Sequence, residues 1–509
     1  MHAALQIPEI CYAICAEMSR DALSKLSRVS RDWSDIANIY LWGTIDSLVP
    51  LLCLMSADLW YLLSDASPHH TSFHFTRPLT PEDWVPVLKR CRLVEVLSLH
   101  EYDAPTFAAD DVQSMLDCPP PFTLLPRLRS LNLYTHTDLQ HTRTKFYLGL
   151  IPPTLKVLRV QGTWPHGISF TRVAEVCPEL ESLDCDCSDL EAITSGVASD
   201  LARAIRGWPS LTAVDIRLGR LGLAAVLPSL ARLPSLSSIN LRCFGESQIS
   251  PLLPENSFPS LSYLVLFGIH LPVVDTILCS CTMRPIDTLS LTPCTVSSSE
   301  ELIHTMRCIQ EHCEPLELLR FLMDFDVGDP DEWTLRFEHL APLAHFPNLL
   351  HVTVRGPGHT DISDDELAPL AKRWPHLERL TIGTNIYRSG GERLCSLNVL
   401  SAFASNCRKL THLTLPLNAA VSLDVHSPML RHVNLKNLHV GDAPIEDPQE
   451  VALFLSALYP NLERVCYEEG MDAEEVDPTI RVEVTRHRTA AWKLVQKILP
   501  ELQKRETQM

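Results

Sequence analysis

The sequence predicts an α/β solenoid of stacked strand–helix repeats preceded by a small three-helix unit. The first observation is a recurring phrase. Trp374-Pro-His-Leu-Glu-Arg-Leu-Thr-Ile382 reads apolar, Pro, any residue, then an apolar-x-x-apolar-x-apolar run, and it returns at Trp208–Ile216, Leu233–Leu241, Phe258–Leu266, Phe346–Val354 and Tyr459–Tyr467. A fixed phrase at a period of tens of residues is the mark of a stacked array. The second observation is that capped amphipathic segments lie between several of these phrases. The third is an N-terminal stretch of helical periodicity too short to bury a core of domain size.

Each part of the phrase has a physical job. Its alternating end is a short strand with one buried face. Its Pro stops the preceding helix, because Pro disfavours the helical conformation in the residue before it. One such unit cannot bury its own apolar face and needs neighbours on both sides. The looser pattern yields fourteen candidate anchors: Val94, Leu128, Leu155, Leu180, Leu211, Leu236, Leu261, Ile286, Leu316, Leu349, Leu377, Leu410, Leu430 and Leu462. This array, over residues 91–470, resembles the leucine-rich repeat family. The resemblance implies a horseshoe with a parallel sheet on the concave face and helices outside. That family places Asn or Cys eight residues after the first Leu. Here only Cys294, Asn385 and Asn418 match, so the usual buried ladder is incomplete.

The chain has 509 residues, 46% of them hydrophobic, and a net charge of −19, which argues against nucleic-acid or anionic-membrane binding. Its 17 Cys are read as reduced and mostly buried. Glu9, Glu17, Arg20 and Asp21 interrupt any secretory-signal pattern, and there is no Asn-x-Ser/Thr sequon. Leu48–Leu63 is too short to span a bilayer and is broken by Pro50 and Asp58. A cytoplasmic or nuclear location is expected.

Residues 1–45 form the first domain. Pro8 starts a helix at its permitted first position, and Ile10, Ile14 and Met18 follow at helical spacing. Leu23, Leu26 and Val29 mark a second helix, and Trp33, Ile36, Ala37 and Tyr40 a third, before Leu41-Trp42. Ile7-Pro8-Glu9-Ile10, Val29-Ser30-Arg31-Asp32-Trp33 and Leu41-Trp42 together resemble an F-box, with one spacer residue missing after Pro8. The alternative is a helical cap on the first repeat.

Residues 46–90 are expected to be a connector and cap. Asp65, His69, His70 and His74 fit no zinc spacing, nor do Cys185-x-Cys187 and Cys279-x-Cys281, so no metal site is assigned. Helices open at Ser298, at the capping box Ser363-x-x-Glu366 and at Asp447-Pro448. Residues 471–509 are read as a C-terminal cap, with a strand near Ile480 followed by an amphipathic helix.

No Gly-rich phosphate loop, nucleophile elbow or His-Glu-x-x-His occurs, so neither a catalytic activity nor a cofactor is expected. F-box and repeats together resemble the substrate receptors of cullin-RING ubiquitin ligases. The resemblance implies docking of a Skp-type adaptor, and through it a cullin, on Ile7, Pro8, Ile10, Ile14, Leu23, Leu26, Val29, Trp33, Leu41 and Trp42. It also implies that the repeats bind a protein substrate. The alternative is a repeat scaffold or inhibitor with no ligase role. In the later repeats the outward positions are rich in cations: His351, Arg355, Arg379, His412, His432, Lys436 and Arg464. An acidic or phosphorylated protein segment is the expected ligand, with the apolar patch Tyr263, Val265 and Phe267 as the other candidate surface.

Overall fold

The computed structural model describes residues 7–64, 71–100, 106–135, 146, 149–162, 169–187, 195–244, 252–254, 256–280, 283–294, 298–325, 334–356, 359–384, 395–421, 431–441, 443–467 and 478–507. Asp65, His69, His70, Cys281, Asn385 and Leu430 lie outside them. The chain divides into two compact units, Met1–Ser237 and Ser238–Met509.

The first unit opens with three helices, α1 (Pro8–Ala16), α2 (Arg20–Leu26) and α3 (Arg31–Gly43). Ser19 accepts from Ala22 N at the start of α2, and Ser30 accepts from Trp33 N at the start of α3. These hydroxyls satisfy amides that have no partner inside the helix. Cys11, Cys15, Leu23, Trp33 and Ala37 make the small core between the helices. Directly after α3, Thr44–Ile45 pairs in parallel with Val96 and Leu97. The connector is more structured than a linker. Trp60–Ser64 runs antiparallel to Thr71–Phe75, which pairs in turn with Thr106–Phe107. The buried Phe73 stacks against Trp60 and meets Phe75 and Phe107 edge-on.

Beyond it, both units are runs of repeat strands, all parallel and following in chain order. The first unit contributes Thr44–Ile45, Val96–His100, Ser130–Thr135, Val157–Gly162, Ser182–Cys187 and Ala213–Gly219. The second contributes Ser238–Phe244, Tyr263–Phe267, Thr288–Thr292, Arg320–Asp324, His351–Gly356, Arg379–Thr384, His412–Thr414, Asn437–Gly441 and Arg464–Tyr467. Each strand after Thr44–Ile45 begins two residues after a buried anchor. For twelve repeats the anchor is the one read from sequence. Two are corrected. Leu318, fully buried, replaces Leu316, which is 63% exposed. Leu435, also fully buried, replaces Leu430.

A repeated backbone contact sets this register. The carbonyl one residue after an anchor accepts from two consecutive amides in the next repeat. Glu181 O takes Thr212 N and Ala213 N at 2.8 and 3.1 Å, and Asp287 O takes Leu319 N and Arg320 N at 2.9 Å each. Leu350 O takes Glu378 N and Arg379 N, and Thr411 O takes Lys436 N and Asn437 N, in the same way.

The Asn/Cys ladder of the resembled family is replaced by side chains three residues before the anchors. Trp208 Nε1 donates to Cys177 O at 3.0 Å, and Trp374 Nε1 donates to Leu343 O at 3.1 Å. Both rings are fully buried and satisfy carbonyls at or near helix ends. Cys294 and Asn418 are only half-buried, and Asn418 merely accepts from Ala420 N nearby. Cys185 is fully buried. Gly268 leaves its strand at φ +69°, where a Cβ would stand 2.0 Å from Cys243 O, so only glycine fits this close crossing.

The expected helices form. Ser298 accepts from Glu301 N, the Ser363–Glu366 capping box closes at 2.8 Å, and Asp447 accepts from Gln449 N and Glu450 N. The tail is corrected: a single helix, Pro478–Thr507, replaces the expected strand near Ile480. It buries Trp492, Val495 and Leu499. Gln496 accepts from Val465 N and donates to Glu463 O, so a side chain supplies the partners that a further strand would give the last one.

Two outcomes follow for stability. Trp208→Ala removes a buried aromatic and orphans the Cys177 carbonyl, and is expected to cost about 3–5 kcal/mol; Trp208→Phe keeps most of the volume and costs roughly 1–2 kcal/mol. Urea unfolding midpoints rank the two against the wild type, and a Trp208→Phe midpoint equal to the wild-type one would show that the hydrogen bond contributes nothing. Deleting residues 471–509 exposes the last strand and its apolar face, so light scattering is expected to show aggregation. A truncated chain that stays monomeric and melts with the full chain would contradict the capping role.

Candidate functional site

The helical unit divides the sequence-selected residues by depth. Ile7, Pro8, Ile10, Ile14 and Val29 are exposed, Val29 by 63%. Leu26 and Leu41 pack against the small core from its edge. Trp42 is half-buried, its Nε1 bonded to Asn38 Oδ1 and its ring under the Arg90 guanidinium at 5.9 Å. Leu23 and Trp33 are corrected, because they form the core itself, Trp33 being only 6% exposed. Three helices this short have no other source of buried area, so their largest apolar side chain turns inward. The sequence reading omitted Tyr12 and Ile39, which are exposed. A shallow, largely apolar groove of about 650 Å³ runs along α1, lined by Glu9, Ile10, Ala13, Ile14, Glu17 and Met18.

The second surface is the row of outward side chains on the second unit's strands. The observed register pairs Arg320 with His351, His351 with Arg379, Arg379 with His412, His412 with Asn437, and Asn437 with Arg464. Adjacent strands are about 4.8 Å apart, so these residues form one continuous column. Arg320 joins it because its anchor is Leu318. His432 leaves it. His432 is buried, its Nδ1 accepts from Leu435 N, and its Nε2 donates to Cys407 O at 2.8 Å. It thus occupies the place of Trp208 and Trp374 three residues before an anchor, and burial lowers its pKa. Asn437 takes the column position and hydrogen-bonds His412 at 2.9 Å.

Two of the remaining cations are balanced locally. Arg355 lies 3.6 Å from Asp324, and Lys436 lies 3.2 Å from Glu463. Lys436 stands beside the column rather than in it. His351 is 3.7 Å from Glu378. Arg320, Arg379 and Arg464 are exposed and make no ion pair among the described residues. The histidines register this charge. Burial first, then Arg320 and Arg379, lowers the His351 pKa. Burial first, then Arg379, His351 and Lys436, lowers that of His412. The first unit has no such bias, since Arg159 faces Asp184 at 3.9 Å and Arg217 faces Asp186 at 3.6 Å. The apolar candidates Tyr263, Val265 and Phe267 share one face of their strand and are partly exposed.

No protein-family model and no curated protein matches the chain. Solved structures with a similar course include the internalin InlF of Listeria monocytogenes, at 16% identity and TM-score 0.37, covering 71% of this chain and 89% of that one. The Rad7 and Elc1 complex of yeast matches at 14% and 0.33, covering 92% and 91%. The Toll–Spatzle complex of Drosophila matches at 11% and 0.35, covering 78% and 54%. Superpositions this loose carry no functional inference. Among the described residues, no helix is long and apolar enough to cross a membrane.

Replacing Arg379 with Gln is expected to raise the titration midpoints of both His351 and His412, because it removes a cation beside each. Side-chain NMR titration reads this directly, and unmoved midpoints would place Arg379 away from the column. By the same sign, an anion bound there raises both values and takes up protons. Affinity for it should therefore rise as pH falls below the ordinary histidine range, where these two depressed imidazoles take up protons.

Proposed function

We propose that this chain is a non-enzymatic protein-binding repeat protein that acts as the substrate receptor of a Skp/cullin/F-box ubiquitin ligase. The repeats hold a protein segment, and the N-terminal helices dock a Skp-type adaptor that leads to the cullin. Such a subunit makes and breaks no bond; it supplies proximity. The observation that carries the binding role is the column Arg320, His351, Arg379, His412 and Arg464, whose arginines have no internal counter-charge among the described residues. Like charges this close repel, and an acidic or phosphorylated peptide laid across the strands relieves that repulsion. The adaptor role is supported by the F-box-like spacing together with the exposed apolar residues on and beside α1, a surface of the kind that helical partners cover.

One observation favours a second reading, a repeat scaffold with no ligase role. Thr44–Ile45 continues α3 directly into strand pairing, as a cap on the repeats would. A single experiment separates the readings. The full chain, an Ile10→Asp/Ile14→Asp variant and an Arg379→Glu/Arg464→Glu variant are each used to co-purify purified Skp-type adaptor and cellular partners. Ile10→Asp/Ile14→Asp is expected to lose the adaptor, and the charge reversal to lose acidic partners while retaining the adaptor. Neither variant touches the core residue Trp33, so both are expected to stay folded. No adaptor binding by the wild-type chain would leave the scaffold reading. Partner recruitment that survives the charge reversal would move the site to Tyr263, Val265 and Phe267.

A further inference from the structure

On the helical side of the second unit, two successive repeats bring together side chains that the proposed function does not use. The helices are Leu271–Cys279 and Ser299–His312. Asp275 and Cys279 lie one turn apart on the first, and His304 and Cys308 lie one turn apart on the second, so each pair shares a helix face. The ligand atoms of Asp275, His304 and Cys308 all fall within 4.8 Å of one another. His304 Nε2 is 3.7 Å from Asp275 Oδ2 and 3.7 Å from Cys308 Sγ, and Cys279 Sγ is 3.5 Å from Cys308 Sγ.

These separations are too long for strong hydrogen bonds and match those between donors around one tetrahedral ion. Zinc bonds of about 2.3 Å to sulfur and about 2.0–2.2 Å to nitrogen or oxygen place neighbouring donors roughly 3.3–3.8 Å apart. Burial adds a separate indication. Asp275 and Cys308 are buried, and Asp275 Oδ1 has no hydrogen-bond partner among the described residues. Burial raises the Asp275 pKa; Thr305 offsets this in part without reaching hydrogen-bond geometry, and its own hydroxyl is buried and unpartnered. A buried carboxylate with one unpartnered oxygen, its other oxygen 3.7 Å from an imidazole, is a costly arrangement that a bound cation would relieve.

We propose that Asp275, His304 and Cys308, with Cys279 turning in as the fourth donor, bind a zinc ion that staples these two helices together. The mixed sulfur, nitrogen and oxygen set selects a borderline divalent ion over calcium or magnesium, which take oxygen alone. His304 and Cys279 are exposed, which provides an entry path. The competing outcome is a Cys279–Cys308 disulfide, for which only the two sulfurs matter and Asp275 and His304 do not.

The test uses the full chain expressed with zinc, purified under mild reductant and dialysed. Elemental analysis is expected to find one zinc per chain. Cobalt(II) substitution should give the visible absorption of a tetrahedral site and a thiolate charge-transfer band. Asp275→Asn, nearly isosteric, and Cys308→Ser should each weaken metal binding at least about tenfold while circular dichroism is unchanged. Cys279→Ser should retain the metal more weakly and halve the thiolate band. Wild-type chain that binds neither zinc nor cobalt, or metal content indifferent to Asp275→Asn, overturns the proposal. So does a purified chain that carries the disulfide and no metal.

Discussion

The structure depends on one backbone contact, the carbonyl just past each buried anchor that receives two consecutive amides from the next repeat. Because it recurs between neighbouring repeats, each strand's register is inherited from the one before. The anchors bury their side chains completely, which stabilises each repeat by about 1.5–3 kcal/mol per leucine. Neither contribution is available to a repeat in isolation, which is why stability in such arrays is shared between neighbours. The same dependence explains the end of the chain. The last strand has no following repeat, and Gln496 stands in for one through its amide.

The ladder also determines where charge accumulates. Residues at the same offset past successive anchors are brought beside one another whatever their sign. In the first unit opposite signs meet at Arg159–Asp184 and Arg217–Asp186. In the second, cations fall in file with few acids among them, and they add to the burial that depresses His351 and His412. On the helical side the same stacking aligns Asp275 and Cys279 with His304 and Cys308. Both clusters arise because equivalent positions of successive repeats superimpose.

The helical unit shows the limit of reading contacts from a motif. Trp33 stands at a spacing that suggests an anchor for a partner, yet in a unit this small it is needed for the core. The exposed apolar residues are instead the smaller Ile10, Ile14 and Val29, with Tyr12 and Ile39, which no spacing rule singled out.

By itself the sequence determined the α/β repeat class, twelve of fourteen anchors, the three N-terminal helices and the caps at Ser298, Ser363 and Asp447. These are local properties, set by periodicity, proline and hydroxyl placement. Register in the other two repeats was decided only by tertiary pairing. A strand pattern repeats every two residues, so sliding from Leu318 to Leu316 keeps the same faces and leaves no trace in the alternation. At Leu430 the proline phrase was present, but the strand begins after Leu435, because His432 must reach the Cys407 carbonyl. Those two shifts brought Arg320 into the basic column and took His432 out of it. The four candidate metal donors were equally invisible, because their halves lie 29 residues apart and meet only when one repeat stacks on the next.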